Sequence, residues 1–284
     1  MRALLCVVIV VGLCGTAVAD TLVTDDIVTD TTWDLSGSPY IINHDIYVKS
    51  LSTLTIDPCV TVKLDSFSKL RTDQNCTIVA VGGDGSEILF TSGADMPAAN
   101  DWYAIDLANS PASVFTWCVF EYGRYNLYAN GGSDIAISSC LSRYSNNAGF
   151  MCEDSSPTIT ACTATENDQG IRISGDAFPV ITGCSITDNN TGIYLNGPDA
   201  NPVIHSCNIV DNSSENMYVR GYTAGLTVVN AESNWWGADS SADIEETIFI
   251  QSAAGPYVEI DFDPWLHESL VEESSWAKVK ALYR

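Results

Sequence analysis

A large apolar residue stands three positions before a cysteine five times along the chain, at Phe115/Cys118, Ile137/Cys140, Ile159/Cys162, Ile181/Cys184 and Ile204/Cys207. The cysteines are 22, 22, 22 and 23 residues apart, which makes the pattern a period that governs any local reading. Eight or nine residues after each cysteine comes Gly or Asn, then two apolar residues spaced by one. The instances are Asn126-Leu127-Tyr128-Ala129, Gly149-Phe150-Met151-Cys152, Gly170-Ile171-Arg172-Ile173, Gly192-Ile193-Tyr194-Leu195 and Asn216-Met217-Tyr218-Val219. Period-2 alternation of this kind predicts a short strand.

Parity within the repeat predicts where the chain turns. Ile159 and Cys162 are three apart, so one unbroken strand would aim them at opposite faces, whereas Cys162 and Ala164 share a face. The chain must bend at Ala161, and at Gly183 and Ser206 in the next copies. A second corner is predicted in the polar stretches Thr165-Glu166-Asn167-Asp168, Thr187-Asp188-Asn189-Asn190 and Val210-Asp211-Asn212-Ser213. A third lies at Gly175-Asp176 and Gly197-Pro198-Asp199, where Gly, Asn and Asp supply turn conformations.

Three short strands and three corners make one coil. The richness in Thr, Ile, Val, Ser, Asn, Gly and Pro argues against a helical repeat of similar length. Crossover connections between parallel strands take the right-handed sense. The expected fold is therefore all-β: a single-stranded right-handed parallel β-helix, a solenoid of about 22 residues per coil with capped ends. Less regular strand-like runs, from Tyr40-Ile41-Ile42 to Ile88-Leu89-Phe90, extend it to roughly eight or nine coils. The expected organisation is an N-terminal cap over 20–38 with Trp33 and Leu35, coils over 39–230, and a C-terminal cap over 231–266. That second cap holds Trp235-Trp236, a helix-like 242–249 and Trp265-Leu266. A tail of different character follows over 267–284.

Composition adds the setting. Met1-Arg2, an apolar run over 3–13 and the small-residue exit Ala17-Val18-Ala19 form the pattern of a cleavable signal peptide cut after Ala19. The run is too short to span a bilayer, so no transmembrane segment is expected. The expectation is a secreted or cell-surface protein. A formal charge of −24 excludes nucleic acid as a natural partner, because phosphate binding needs clustered Lys and Arg. Removal of the leader takes Cys6 and Cys14 from the ten cysteines. The regular five fall at an inward position, where buried thiols act as small hydrophobes, and no Cys-x-x-Cys suggests zinc. Sequons occur at Asn75, Asn189 and Asn212, as chance allows in a chain rich in turn Asn.

The segments Ser38-Pro39-Tyr40-Ile41-Ile42 and Leu54-Thr55-Ile56-Asp57-Pro58-Cys59-Val60-Thr61-Val62, the stretch Asn100-Asp101-Trp102-Tyr103-Ala104-Ile105 and the Pro-Thr-Ile-Thr repeats carry a resemblance. So do Asn234-Trp235-Trp236-Gly237 and Asp261-Phe262-Asp263-Pro264-Trp265-Leu266. Over residues 38–266 the chain resembles bacterial right-handed parallel β-helix proteins of the pectin-lyase-like superfamily. Cys59 departs from the pattern, standing where those proteins usually have Gly in a tight turn. The resemblance implies an extracellular habitat and either polysaccharide-lyase, hydrolase or epimerase activity or a surface role without chemistry. Fold alone does not choose among these.

The columns that the period creates hold the candidate chemistry. A galacturonan-hydrolase-like Gly-His-Gly is absent, and His44, His205 and His267 lie elsewhere. Arg172 stands at an outward strand position without a lyase motif around it. Coils about 4.8 Å apart should align Tyr128, Met151, Arg172, Tyr194 and Tyr218, with Asn130, Glu153, Ser174, Asn196 and Arg220 as the adjacent column. Aromatic faces beside amides and charges suit a sugar chain, giving Tyr128, Arg172, Tyr194, Tyr218 and Asn196 as carbohydrate-binding candidates; sheet-surface stacking is the alternative. Glu166, Asp188 and Asp211 align at the acidic corner, where Ca²⁺ would relieve repulsion; a solvated edge is the alternative. No other cofactor is expected. The leading expectation is a non-enzymatic module that binds a polysaccharide or cell-surface glycan, or serves as an extracellular structural element. The alternative is a polysaccharide lyase or glycoside hydrolase acting on acidic polysaccharide.

Overall fold

The computed structural model describes residues 20–223 and 225–268. The signal-peptide pattern over 1–19 and the tail from 269 onward lie outside the described residues. Within them the chain winds as a right-handed parallel β-solenoid with three sheets of nine, nine and ten strands. Every strand pairing is parallel, and each strand's partner lies one coil away along the chain, as in Thr158↔Val180↔Val203.

One coil shows how the sequence produces this. The strand Thr158–Thr160 lies in the third sheet, Thr163–Thr165 in the first and Gln169–Ser174 in the second. Ile159, Cys162, Ala164, Ile171 and Ile173 all point inward and are at most 2% exposed. Between the first two strands Ala161 takes φ 52°, and its counterparts Gly183 and Ser206 take 64° and 58°. A left-handed residue here reverses the side-chain parity, which is what lets Ile159 and Cys162 face the same core. The second corner turns on Glu166, Asp188 and Asp211 at φ 57°, 59° and 57°. Asp suits this region because its short polar side chain bonds locally. Cys59 also takes a left-handed φ of 66°, a conformation in which glycine is the usual resident.

The inward cysteines do more than fill space. The backbone N–H groups of Cys118, Cys140 and Cys184 donate to the sulfurs of Cys140, Cys162 and Cys207 at 3.4–3.5 Å. At the last regular coil Asn234 Oδ1 takes over, accepting from the Cys207 N–H at 2.9 Å. All five thiols are buried and free, and burial drives those of Cys140 and Cys162 well above the ordinary thiol range.

A second ladder runs through the acidic corner. The amide side chains of Asn167, Asn189 and Asn212 point inward, each donating to a carbonyl of the preceding coil and accepting from backbone N–H of that same coil, while Asn167 and Asn189 also donate to the Asn oxygen of the next coil. Gly149, Gly170 and Gly192 open the following strands because a Cβ there would approach the next coil's backbone oxygen to 2.6–2.8 Å. Asn189, at 1% exposure, is no glycosylation acceptor in the folded chain.

The stack also begins earlier and ends later than the regular period suggests. Thr21–Leu22 pairs with Tyr40–Ile42, and Thr31–Trp33 pairs with Thr53–Ile56, so the stretch 20–38 contributes strands as well as cover. These runs of two and three residues are too short to show alternation. Trp33 is buried against Tyr40, with ring centroids 4.7 Å apart. At the other end Ile248–Ile250 and Val258–Asp261 prolong the second and third sheets. The helix expected over 242–249 is the shorter Ser241–Glu245, capped by Ser240, after which the chain enters the Ile248–Ile250 strand. Trp236 is 1% exposed. No helix among the described residues is long and apolar enough to cross a membrane.

Candidate functional site

The outer face of the second sheet carries the candidate chemistry. Its central column, read along the axis, is Tyr47, Arg71, Asp106, Tyr128, Met151, Arg172, Tyr194, Tyr218 and Phe249. Ala108, Asn130, Glu153, Ser174, Asn196 and Arg220 form the neighbouring column. The expected alignment is present, but ring rotation splits the candidates into two groups.

In the C-terminal half the aromatic faces are turned onto one another. Tyr194 and Tyr218 stack at 5.1 Å with an interplanar angle of 2°, and Phe249 closes the far side of Tyr218 at 5.1 Å. The Arg172 guanidinium lies 5.0 Å from the Tyr194 ring centre and covers its other face. It also reaches Ser174 and Asn147, both at 3.4 Å. Arg172, Tyr194 and Tyr218 thus form a cation–aromatic ladder whose flat faces are already occupied. They offer ring edges and hydroxyls outward, with Asn196 alongside, rather than a platform for a sugar ring. Met151, in an outward register, is only 4% exposed and separates this ladder from Tyr128.

In the N-terminal half the structure assembles a polar cluster from Tyr128, Asn130 and Glu153 of the expected columns together with residues of earlier coils. Asp106 sits at its centre, 3% exposed, with Arg71 Nε 3.5 Å from Oδ2 and Asn130 Nδ2 donating to Oδ1 at 2.6 Å. Burial raises the Asp106 carboxyl above its ordinary pKa, outweighing the opposing Arg71 charge and the Asn130 bond. Next to it the Tyr128 hydroxyl donates to Glu153 Oε2 in a very short hydrogen bond. Burial, reinforced by that carboxylate, pushes the Tyr128 phenol far up. Tyr125 lies 5.4 Å from Tyr128 at a 38° tilt, and Tyr103 meets Tyr125 edge-on at 5.7 Å. Arg124 sits 5.6 Å from the Tyr125 ring centre and Lys69 5.7 Å from that of Tyr103.

Two carboxylates, Asp106 and Glu153, therefore share one sheet with the guanidinium groups of Arg71 and Arg124 and three tyrosines. The repeat contained a signal for Asp106: one period of 22 residues before Tyr128 lands on it. Arg71 carried no such signal, since a longer irregular stretch separates it from Asp106.

The acidic corner is built differently. Glu166, Asp188 and Asp211 are exposed and act as the left-handed residues that tie coil to coil, Glu166 N–H donating to the Asp188 carbonyl at 3.1 Å. Glu166 also hydrogen-bonds the Tyr144 phenol, and Thr165 Oγ1 lies 3.5 Å from Asp188 Oδ2. Among the described residues no group of three or more His, Cys, Asp and Glu side chains is placed to hold a metal ion.

Asp106 makes a testable difference to stability. Its carboxyl titrates higher in the folded chain than the ordinary value of 3.8, so folding favours the protonated form. The resulting cost is absent below that value and grows as pH rises through the folded pKa. Asp106→Asn should therefore melt at a higher temperature than the parent near neutral pH, with the gain disappearing at about pH 3. Thermal melts across that range check this; a loss of stability at neutral pH would contradict it.

Residues 97–234 match the family model described as "Right handed beta helix region". No curated protein and no solved structure matches the chain.

Proposed function

Because the chain is a right-handed parallel β-helix protein, with residues 97–234 matching the model of that region, we propose that it is an extracellular glycan-binding module holding an acidic saccharide chain along its second sheet. One observation carries this reading: the placement of its few cations. Arg2, Lys278, Lys280 and Arg284 aside, the chain has eight Lys and Arg residues, and Lys69, Arg71, Arg124, Arg172 and Arg220 all lie on strands of that sheet. On a chain of formal charge −24, five of the described cations are thus gathered on one sheet among tyrosines. Guanidinium groups meet carboxylates through directional, charge-assisted hydrogen bonds. Tyr103, Tyr125 and Tyr128 add tilted rings and hydroxyls at the Asp106 end.

The test is binding to a panel of acidic and neutral polysaccharides, with product analysis on every ligand. The double variant Arg71→Ala, Arg124→Ala should bind an acidic ligand at least about tenfold more weakly, the loss expected for one charge-assisted hydrogen bond. Neutral ligands should be unaffected. Failure to bind any glycan would leave a structural module.

A second reading has its own support. The carboxyl of Asp106 is held toward its protonated form near the Tyr128–Glu153 pair, and acid and base carboxyls on one face are what glycosidic cleavage requires. Release of new sugar ends by the parent but not by Asp106→Asn, with binding retained in both, would favour that enzyme.

A further inference from the structure

The face proposed to hold an acidic saccharide has a carboxylate buried beneath its cations. Asp106 follows the register shift between Ala104 and Ile105 and stands in the outward column, between Arg71 of the preceding coil and Tyr128 of the next. The Arg71 side chain is 36% exposed and that of Asp106 5%, with Nε and Oδ2 3.5 Å apart. The guanidinium therefore faces solvent while its counter-ion lies underneath. Asn130 Nδ2 donates to the other carboxyl oxygen, Oδ1.

The charged groups around this carboxyl are Arg71 and Lys69 on the preceding strand, Asp45 one coil further back, Arg124 on the following strand and Glu153 beyond it. Tyr103 on the same strand and Tyr125 and Tyr128 on the next are the titratable neighbours without charge. Lys69 is shared with Asp45, 3.7 Å away, so Arg71 is the cation that Asp106 engages most closely.

An ionised Asp106 opposes an anionic ligand in two ways. It neutralises the guanidinium from below, and its own charge repels the ligand's through poorly solvated protein, where screening by salt is weak. Taking up a proton removes both effects, because Arg71 itself stays charged. Burial already favours the protonated carboxyl, so a ligand need add little to tip it. The linkage is reciprocal: a proton that tightens ligand binding is itself held more tightly once the ligand is bound.

We propose that Asp106 is a proton-operated gate on this face: ionised, it keeps Arg71 for itself, and protonated, it yields Arg71 to the acidic group of a ligand. Acidic saccharides therefore bind more tightly as pH falls, and their binding takes up a proton. The gate rests on the glycan-binding reading above and gives that site its regulation.

Dextran sulfate is the probe, because its sulfate esters stay ionised in mild acid and cannot themselves produce the effect. At constant ionic strength, binding by the parent should tighten about tenfold between about pH 7.5 and 4.5, the gain expected for one charge-assisted hydrogen bond. Calorimetry in two buffers of different ionisation enthalpy should show proton uptake on binding. Asp106→Asn should bind at neutral pH about as tightly as the parent does in acid, with no proton taken up. Asp45→Asn removes an acid beside Lys69 and should keep the parent's pH dependence. An Asp106→Asn variant as pH-dependent as the parent, or an Asp45→Asn variant that loses the dependence, would overturn the gate and leave glycan binding in place. Failure of both the parent and Asp106→Asn to bind dextran sulfate or any glycan of the panel, in acid or at neutral pH, would overturn the glycan-binding reading and the gate with it.

Discussion

Phe120→Ala should lower stability by about 3–5 kcal/mol, the loss expected when a fully buried aromatic ring is truncated. Phe120 is fully buried and stacks on Phe90 at 4.9 Å and 10°, with Phe115 edge-on at 5.8 Å. These three rings fill the interior across two neighbouring coils, where the following coils place Ile137 with Ser142 and Ile159 with Ala164. Removing one ring leaves a cavity that parallel strands cannot collapse, because their separation is fixed by backbone hydrogen bonds at about 4.8 Å. Each coil touches mainly its neighbours, so the loss should be concentrated near the site. Amides of Ile88–Ser92 and Val114–Thr116 should exchange faster while those of Val203–His205 change little. An unchanged urea midpoint would show that the aromatic interior is not a stability centre.

Asn189→Ala should cost at least about 3 kcal/mol, although it removes only a small polar side chain. The Asn189 amide donates to the carbonyls of Ala164 and Thr187 and to Asn212 Oδ1, at 2.9–3.1 Å. Its oxygen accepts from the backbone N–H and the side chain of Asn167, both at 3.1 Å. Alanine would leave the Asn167 N–H buried without its acceptor and strip the side-chain bonds from the Ala164 and Thr187 carbonyls. Desolvation of each such group costs about 1–3 kcal/mol. The neighbouring Asp188→Ala loses an exposed carboxylate and some left-handed preference, so about 1 kcal/mol is expected. Chemical denaturation of the two variants side by side separates the roles, and equal losses would refute an Asn ladder as the stronger element.

That contrast shows where the sequence was legible. Acids and amides alternate through the same corner, and both repeat with the period. Sequence spacing made the acids conspicuous as a stack of charge, while the inward turn of the amides depends on the left-handed residue before each one. Glu166, Asp188 and Asp211 therefore looked like the chemistry of the corner, whereas Asn167, Asn189 and Asn212 hold it. The bends at Ala161, Gly183 and Ser206 were readable from parity alone, because a core on one side of the chain allows no other solution.

The tyrosine column was readable as an alignment but not as a surface. Spacing places Tyr194 over Tyr218; only side-chain rotation decides whether their faces meet each other or the solvent, and here they meet each other. Asp106 lay one period before Tyr128, within reach of the same count. It was obscured by a strand lengthened to Trp102–Ala108, with a register shift between Ala104 and Ile105, after an irregular stretch where the cysteine marker is missing.

The corner bonds have a consequence for how such a chain can change. The coils that begin at Pro157 and Pro179 close with the same kinds of contact to their neighbours, a sulfur at one corner and an amide at another. One 22-residue unit can be duplicated or deleted there with all its connections renewed. Asp106 lies before that region and the Arg172–Tyr194 pair within it, three to four coils away. Their separation, about 14–19 Å along the axis, is therefore a ruler graduated in steps of about 4.8 Å. Lineages that inherit this solenoid can retune the distance between two surface features by changing the number of coils, without altering a residue in either feature.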